Sequence, residues 1–290
     1  MGTLEKFVVG GVPEHFNFPW HTGIETGAFS DVGVDLHYID FPGGTGAMTK
    51  ALRTGEVDAA VVLTEGCVAD ILNGNASRIV QTYVMSPLIW GIHVAADSAL
   101  DDVDHINGKR YAISRYGSGS HLMAIVDAAQ RGWSTDAMQF VVVKNLAGAR
   151  EALANGEADI FFWERFTTSP FVANGEFRRL GIRETPWPAF VICVRQEVLE
   201  QRSETVSRTL HAVNDQCHKL MGSESAVDEI ALRYELDSDQ VAQWFSMTQW
   251  NKEFGSPPEK LDLAIRFLRK LKLVPDVEQA QSVVLHEVKP

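Results

Sequence analysis

The amino-acid sequence predicts an α/β protein with two similar lobes and a mainly helical C-terminal part. Three observations support this: β-rich and helical segments alternate in the first half, a short motif repeats, and helical periodicity takes over after Arg195. The chain must then cross between the lobes twice. We predict lobe 1 from residues 1–93 and 195–290, lobe 2 from residues 94–194, and a ligand cleft between them.

The alternation begins at the N-terminus. Strands are predicted at residues 7–11, 36–41 and 58–63, and each is followed by a helical segment: one that ends near Gly27, one at 47–54 and one around 67–72. Strands joined through helices run parallel with right-handed crossovers.

An internal repeat is the most informative feature. The segment ALRTGEVD at 51–58 recurs as ALANGEAD at 152–159. In both copies a helix ends on a glycine suited to the left-handed conformation, and a buried strand follows. Such a joint is also common in unrelated α/β proteins; read as a true repeat, it indicates two similar lobes.

Two strand-like segments connect the lobes. Residues 79–98 cross from lobe 1 to lobe 2, and residues 189–194 cross back. Helices are then predicted at 197–221, 225–234, 238–251 and 258–271, with a break at Ser256-Pro257-Pro258, and their Phe, Trp and Leu residues are predicted to be core. The two crossings predict a hinge.

Composition excludes several functions. The 290 residues include 26 Lys and Arg against 38 Asp and Glu, a formal charge of −12 that disfavours nucleic acid as a partner. The three cysteines, Cys67, Cys193 and Cys217, lie far apart and form no metal-binding pattern. We therefore predict neither a metal nor a cofactor.

No membrane segment is predicted. The N-terminus lacks a long apolar run behind basic residues, and no stretch of about 18 apolar residues occurs. The expected location is cytoplasmic for the chain as given, or periplasmic if a signal peptide has been removed.

A family resemblance rests on motifs that are spread along residues 7–270. They are Thr26-Gly27-Ala28-Phe29 before Val34-Asp35-Leu36, Pro42-Gly43-Gly44-Thr45, the ALxxGExD motif at 51–58, and Gly117-Ser118-Gly119-Ser120. Their order resembles the type II periplasmic binding proteins of nitrate, sulfonate and taurine transporters and their relatives in thiamine-pyrimidine metabolism. The resemblance implies hinge closure on a small molecule that is anionic or aminopyrimidine-like, and a membrane transporter as partner if the chain is exported.

The same fold also occurs in cytosolic enzymes. The pyrimidine synthase of thiamine biosynthesis carries a cysteine-rich motif, and this sequence has no such cluster. The alternative function is therefore an enzyme of this fold that acts on a pyrimidine or similar heterocycle. No G-x-S-x-G or Cys/His signature occurs and no catalytic residue is assigned; His15 is the side chain to test as a general base.

Ligands of α/β sheets bind beyond the carboxyl ends of the strands. The loop after the first strand is unusually aromatic and can stack on a planar ligand. Its candidate ligand-binding residues are His15, Phe16, Asn17, Phe18 and Trp20. The alternative is that the aromatic side chains pack the start of the following helix.

Two glycine-rich loops open helices and are candidate anion sites, one in each lobe. The candidates are Gly43, Gly44 and Thr45 in the first loop, and Arg115, Tyr116, Gly117, Ser118 and Ser120 in the second. Either loop can instead be only a helix cap.

Strand ends supply the last candidates. Trp163 and Glu164 follow the repeated strand, Thr64 and Glu65 hold the matching place in lobe 1, and Trp90 and Trp187 offer further stacking faces. The alternatives are a surface ion pair between Glu164 and Arg165 and a place for Trp90 in the hinge core.

Overall fold

The computed structural model describes residues 3–136, 138–251 and 258–275. The described strands are β1 (Glu5–Gly11), β2 (Val34–Asp40), β3 (Ala59–Leu63), β4 (Ser77–Val84), β5 (Ile89–Ala95), β6 (Arg110–Ile113), β7 (Gln139–Val142), β8 (Ile160–Glu164), β9 (Phe177–Glu184) and β10 (Phe190–Arg195). The described helices are α1 (Phe18–Glu25), α2 (Ala28–Asp31), α3 (Thr45–Thr54), α4 (Thr64–Leu72), α5 (Gly119–Gln130), α6 (Leu146–Ala154), α7 (Ser169–Ala173), α8 (Gln196–Gln201), α9 (Ser203–Met221), α10 (Ala226–Tyr234), α11 (Ser238–Met247) and α12 (Pro258–Lys270).

The strands form two five-stranded sheets with the same plan. Sheet 1 has the order β2-β1-β3-β10-β4, and sheet 2 has the order β7-β6-β8-β5-β9. In each sheet the first three strands are parallel and the last two pairings are antiparallel. The predicted α/β fold with two similar units is confirmed.

The repeated motif has the same structure in both sheets. Gly55 and Gly156 end α3 and α6 with φ of +75° and +67°. Asp58 then accepts a hydrogen bond from Val8 N at 2.9 Å, and Asp159 accepts one from Arg110 N, also at 2.9 Å. Each aspartate thus ties its turn to the neighbouring parallel strand.

The chain crosses between the sheets at residues 85–88 and 185–189. The predicted continuous segment 79–98 is two strands in different sheets, because Pro87 in the connection has no N–H for a ladder. All of β5 pairs in sheet 2 and all of β10 pairs in sheet 1. Strand pairing therefore changes sheet a few residues before each lobe boundary predicted from the sequence.

The C-terminal part is helical, with two departures from the prediction. The helix predicted at 197–221 is divided into α8 and α9 at Arg202, whose side chain donates to Lys6 O at 2.9 Å and contacts Asp58. The helix predicted at 238–251 ends at Met247, since Trp250 pairs with Val84 of sheet 1. The predicted break at 256–257 lies outside the described residues.

The C-terminal helices complete the core of sheet 1. Trp244 and Trp250 are almost fully buried, as predicted, whereas Leu232 and Leu263, which were also predicted to be core, are exposed. Helix α9 packs on α1 and α2. Leu261, Ile265 and Leu268 of α12 belong to a cluster on the α3 and α4 side of the sheet. No helix within the described ranges is long and apolar enough to cross a membrane.

Candidate functional site

A cavity of about 50 Å³ lies where the carboxyl ends of the parallel strands of both sheets face each other. Its described lining residues are Val12, Glu14, Gly43, Gly44, Thr45, Leu63, Leu88, Trp90, Ser114, Ser118, Gly119, Ser120, Trp163, Glu164 and Phe190. We call it the cleft cavity. It brings together eight of the residues selected from the sequence: Gly43, Gly44, Thr45, Trp90, Ser118, Ser120, Trp163 and Glu164.

The glycine-rich loop of sheet 1 leads directly into α3. Gly44 has a φ of +67°, which a residue with a side chain rarely adopts. The Thr45 hydroxyl accepts a hydrogen bond from Leu63 N at 3.2 Å. The start of α3 is therefore fixed against the end of β3.

The corresponding loop of sheet 2 leads into the longer helix α5. Gly117 has a φ of +78°, and the Ser118 hydroxyl caps α5 by accepting from His121 N at 3.4 Å. The Ser120 hydroxyl accepts from Ser114 N at 3.0 Å. These bonds direct the positive end of the α5 dipole toward the cavity.

Arg115 joins the two loops. Its Nη1 donates to Gly43 O at 2.8 Å, across the space between the sheets. Its guanidinium lies so close to Gly46 of α3 that even a methyl group there would overlap it. Nη2 is buried and has no partner among the described residues, and burial lowers the pKa of the guanidinium.

Glu164 is a buried carboxylate at the cavity wall. Its Oε2 accepts from Phe166 N at 2.9 Å and from Thr167 N at 2.6 Å, and only 4% of the residue is exposed. Burial raises the pKa of this carboxyl despite the two backbone donors. The surface ion pair with Arg165 is absent, because the Arg165 side chain donates to Gln243 Oε1 instead.

Glu14 is a second carboxylate of the cavity, which the sequence reasoning missed. Burial and the negative charge of Glu164 raise the pKa of Glu14 to about 8. Glu14 belongs to the loop singled out for its aromatic residues, and its acidic side chain beside a strand end was the available signal. The charge of Glu164 is therefore close enough to act on Glu14.

Two tryptophans line the cavity. Trp90 lies opposite Glu164 in the pairing of β5 with β8, so both side chains lie on the same face of sheet 2. Trp163 stacks on Phe161 with ring centroids 5.2 Å apart. The Nε1 atoms of Trp90 and Trp163 are buried without a hydrogen-bond partner among the described residues.

The aromatic loop residues after β1 lie in the core instead of lining the cleft cavity. Trp20 stacks on Phe29, Phe16 packs against Phe190, and Phe18 is buried beside Tyr234. These contacts match the packing alternative, because the loop folds under the C-terminal helices.

The two polar residues of this loop are also buried. Asn17 donates from Nδ2 to Val12 O at 2.8 Å. His15 contacts the Trp244 ring edge-on with centroids 4.1 Å apart, and burial lowers the pKa of His15 to about 3. The imidazole is therefore neutral at pH 7.

The remaining candidates do not line the cleft cavity: some form buried hydrogen bonds near it, and one lies at the surface. The Thr64 hydroxyl donates to Pro188 O at 2.6 Å, and Trp187 Nε1 donates to Glu65 Oε2 at 2.8 Å. Burial raises the pKa of Glu65 to about 7. Tyr116 is 65% exposed beside Gly117.

The sequence reasoning missed several lining residues besides Glu14. They are Val12, Leu63, Leu88, Ser114, Gly119 and Phe190. Gly119 lies within the Gly117-Ser118-Gly119-Ser120 motif and Ser114 immediately precedes Arg115 of the same loop, whereas the apolar residues gave no functional signal. Within the described ranges no group of three or more His, Cys, Asp or Glu residues could hold a metal ion.

Comparisons with known proteins agree with the fold. Residues 90–182 match the family model of the Ca3427-like periplasmic binding proteins. Over 99% of the chain and 97% of the other protein, the fold is similar to the conserved CA3427 gene product of Candida albicans, with a TM-score of 0.90 and 25% sequence identity. That protein is described as defining a family with the generic periplasmic binding protein fold.

Transport proteins give weaker matches over similar lengths. The alkanesulfonate-binding protein SsuA from Xanthomonas axonopodis pv. citri, bound to MOPS, has a TM-score of 0.81 and 16% identity over 98% of this chain and 99% of that one. The periplasmic nitrate-binding protein NrtA from Synechocystis has a TM-score of 0.74 and 13% identity over 97% and 85%. No curated protein sequence matches significantly. The chain therefore has the type II periplasmic binding protein fold.

Proposed function

We propose that this protein binds a small polar solute in the cleft cavity and closes two lobes around it, as a solute-binding protein. The observation that carries the proposal is the convergence of five strand ends from two sheets on one cavity, with carboxylates and unpaired indole donors in its wall. Sites of this kind combine apolar walls with a few placed polar groups.

The wall groups indicate the chemistry of the solute. Trp90 and Trp163 each offer an indole N–H, and the first turns of α3 and α5 favour negative charge. Glu14 and Glu164 require hydrogen-bond donors when they are ionised. The solute should therefore present an oxyanion or a ring acceptor together with a donor, as a hydroxylated acid or an aminopyrimidine does.

The size of the cavity supports a closing motion. About 50 Å³ holds only a few water molecules, so a ring-bearing solute needs the lobes further apart on entry. The hinge would lie at residues 85–88 and 185–189, where the chain crosses between the sheets. In the closed arrangement the hydrogen bond from Arg115 to Gly43 O connects the two lobes and stabilises closure.

Related structures give this role a context. Proteins with structures similar to this one include an alkanesulfonate-binding protein, a nitrate-binding protein, and a ligand-binding component of an ABC-type import system from Staphylococcus aureus. By analogy, this chain would deliver its solute to a membrane transporter if it is exported, and cell fractionation would decide its compartment.

An enzyme of the same fold is the second candidate. It is favoured by one observation: the carboxyl groups of Glu14 and Glu164 face one cavity, and both have a raised pKa. A carboxyl that holds a proton near neutral pH can act as a general acid. Mass spectrometry of the bound molecule after incubation separates the candidates, since a binding protein returns it unchanged and an enzyme converts it.

The test of binding uses the protein and a filtered metabolite extract. After gel filtration and denaturation, mass spectrometry identifies the molecules that the parent retained. Glu164→Gln should retain much less of the same molecule, whereas the control Glu176→Gln, which alters a glutamate outside the cavity that pairs with Arg150, should retain the parental amount. Equal retention by Glu164→Gln, or no retained molecule in the parent, would contradict the proposal.

A further inference from the structure

A second and larger cavity lies next to the cleft cavity. Its volume is about 450 Å³, within the range of pockets that hold metabolites and drugs. It is formed by α7 and β9 of the sheet 2 unit and by the α10–α11 connection of the C-terminal helices. We call it the side cavity.

The side cavity and the cleft cavity are separate but adjacent. The described residues that line one do not line the other. Glu14 lines the cleft cavity, while the next residue, His15, lines the side cavity. In the same way Glu164 belongs to the cleft cavity and Phe166 to the side cavity.

The walls of the side cavity are mainly apolar and can pack against an aromatic ring. Phe166, Leu236, Val241 and Trp244 provide aromatic and aliphatic surface from two directions. Aromatic walls of this kind bind flat apolar groups through area burial and stacking. A molecule that occupies the cavity should therefore have a ring.

Two buried polar atoms in this wall lack partners. His15 Nε2 and Trp244 Nε1 have no hydrogen-bond partner among the described residues, and each residue is 2% exposed. Buried polar atoms in folded proteins are nearly always paired. Both residues line the side cavity, so this part of its wall holds unpaired polar groups.

The charge distribution indicates an anion. Among the described lining residues, Arg179 carries the positive charge; it is held by a bond to Arg165 O at 2.8 Å and by a longer contact with His93 Nε2 at 3.4 Å. The acidic lining residues Glu235 and Asp237 are exposed at the rim, and Asp237 accepts from Gln240 N as the cap of α11. Arg179 is thus the group in this wall that can pair with an anion, and the charge of Glu164 in the adjacent cleft cavity also acts on it.

We propose that the side cavity is a second ligand site that binds a small ring-bearing monocarboxylate. The ring packs against Phe166 and Trp244, and the carboxylate pairs with Arg179. This site is independent of the solute that the cleft cavity binds.

The test uses naphthalene-2-carboxylate and its neutral analogue naphthalene-2-methanol as probes in calorimetry with the full chain. The carboxylate should bind the parent at least about tenfold more tightly than the alcohol, since a charge-assisted hydrogen bond contributes about that factor. Arg179→Gln should remove this difference. The matched control is Arg178→Gln, which alters the neighbouring arginine of β9, whose side chain donates to Ser98 O and Leu100 O; it should leave binding unchanged.

A second variant keeps the test decisive if Arg179→Gln does not fold. Ala173 of α7 is exposed and lines the side cavity, so Ala173→Phe obstructs it without disturbing the core. Ala173→Phe should weaken binding of the carboxylate about tenfold or more, while Arg178→Gln should bind it like the parent. Absence of binding to the parent at millimolar concentration, or parental affinity in Ala173→Phe, would overturn the proposal.

Discussion

The two copies of the repeated motif end in different chemistry at the cleft cavity. When the copies are aligned, Leu63 at the end of β3 corresponds to Glu164 at the end of β8, and both line the cavity. Sheet 1 thus presents an apolar side chain where sheet 2 presents a buried carboxylate. The comparison teaches that the repeat specifies the scaffold, while single residues at its strand ends specify the site.

The two copies also differ in the arginine that pairs with the aspartate at the end of the motif. Asp58 pairs with Arg202 at the start of α9, whereas Asp159 pairs with Arg110 of the adjacent strand at 2.7 Å. The first turn is therefore fixed by the returning C-terminal chain. The second is fixed within its own sheet, which makes the sheet 2 unit more self-contained.

The largest expected effect concerns Glu65, the buried carboxyl just beyond Leu63. Because burial raises the pKa of Glu65 from 4.5 to about 7, the folded state holds its proton more tightly than the unfolded state. The free energy of unfolding should therefore fall by about 3 kcal/mol between pH 4.5 and 7 through this group. Denaturant unfolding across this range should show a shallower fall in Glu65→Gln, and the same fall as the parent in Glu56→Gln, which alters an exposed glutamate between α3 and β3. Identical pH dependence in all three proteins would refute a buried proton on Glu65.

The next effect separates the two repeated turns. Asp58→Ala should lower the free energy of unfolding by about 2 to 3 kcal/mol, since it leaves Val8 N and Arg202 without an acceptor. Asp159→Ala should cost about 1 kcal/mol less, because water reaches the more exposed pair with Arg110. Urea titrations measure both values. Equal losses would show that the C-terminal chain does not fix the first turn.

The third prediction compares the aligned residues Leu63 and Glu164. Glu164→Gln should weaken solute binding by about 2 kcal/mol through loss of a charge-assisted hydrogen bond, while its amide oxygen still accepts the backbone bonds. Leu63→Val should cost less than about 1 kcal/mol, since it removes little apolar surface. Calorimetry with the retained solute gives both affinities. A larger loss for Leu63→Val would reverse the assignment of chemistry to sheet 2.

The smallest effect tests the contact between the sheets. Gly46→Ala should weaken binding by about 1 kcal/mol, because its methyl group would displace the Arg115 guanidinium and break the hydrogen bond to Gly43 O. The control is Gly222→Ala at the end of α9, where a methyl group meets its nearest neighbour at 3.6 Å. Parental affinity in Gly46→Ala would mean that this contact does not contribute to closure.

The fold was largely predictable because local patterns specify it. The alternation of strands and helices, the glycine that ends each repeated helix, and the apolar C-terminal residues all appear in the sequence. The division of residues 79–98 at Pro87 into two strands of different sheets could not be predicted, because two apolar strands joined by four residues resemble one long strand.

The site was predictable only in part. Glu164 and the two glycine-rich loops follow from the rule that strand ends bind ligands. The side-chain directions in the loop after β1 could not be predicted, because composition does not show whether Phe16 or Trp20 faces a ligand or the core. The side cavity arises from the packing of α7, β9 and the α10–α11 connection, which no local pattern encodes.

Small-angle X-ray scattering with and without the retained solute tests the central claim most directly. Hinge closure predicts a larger radius of gyration for the free protein, and a decrease at saturating solute to a curve that matches this structure. Glu164→Gln at the same solute concentration should stay closer to the free form. Identical curves for the free and saturated parent would contradict the account of a solute-binding cleft that closes.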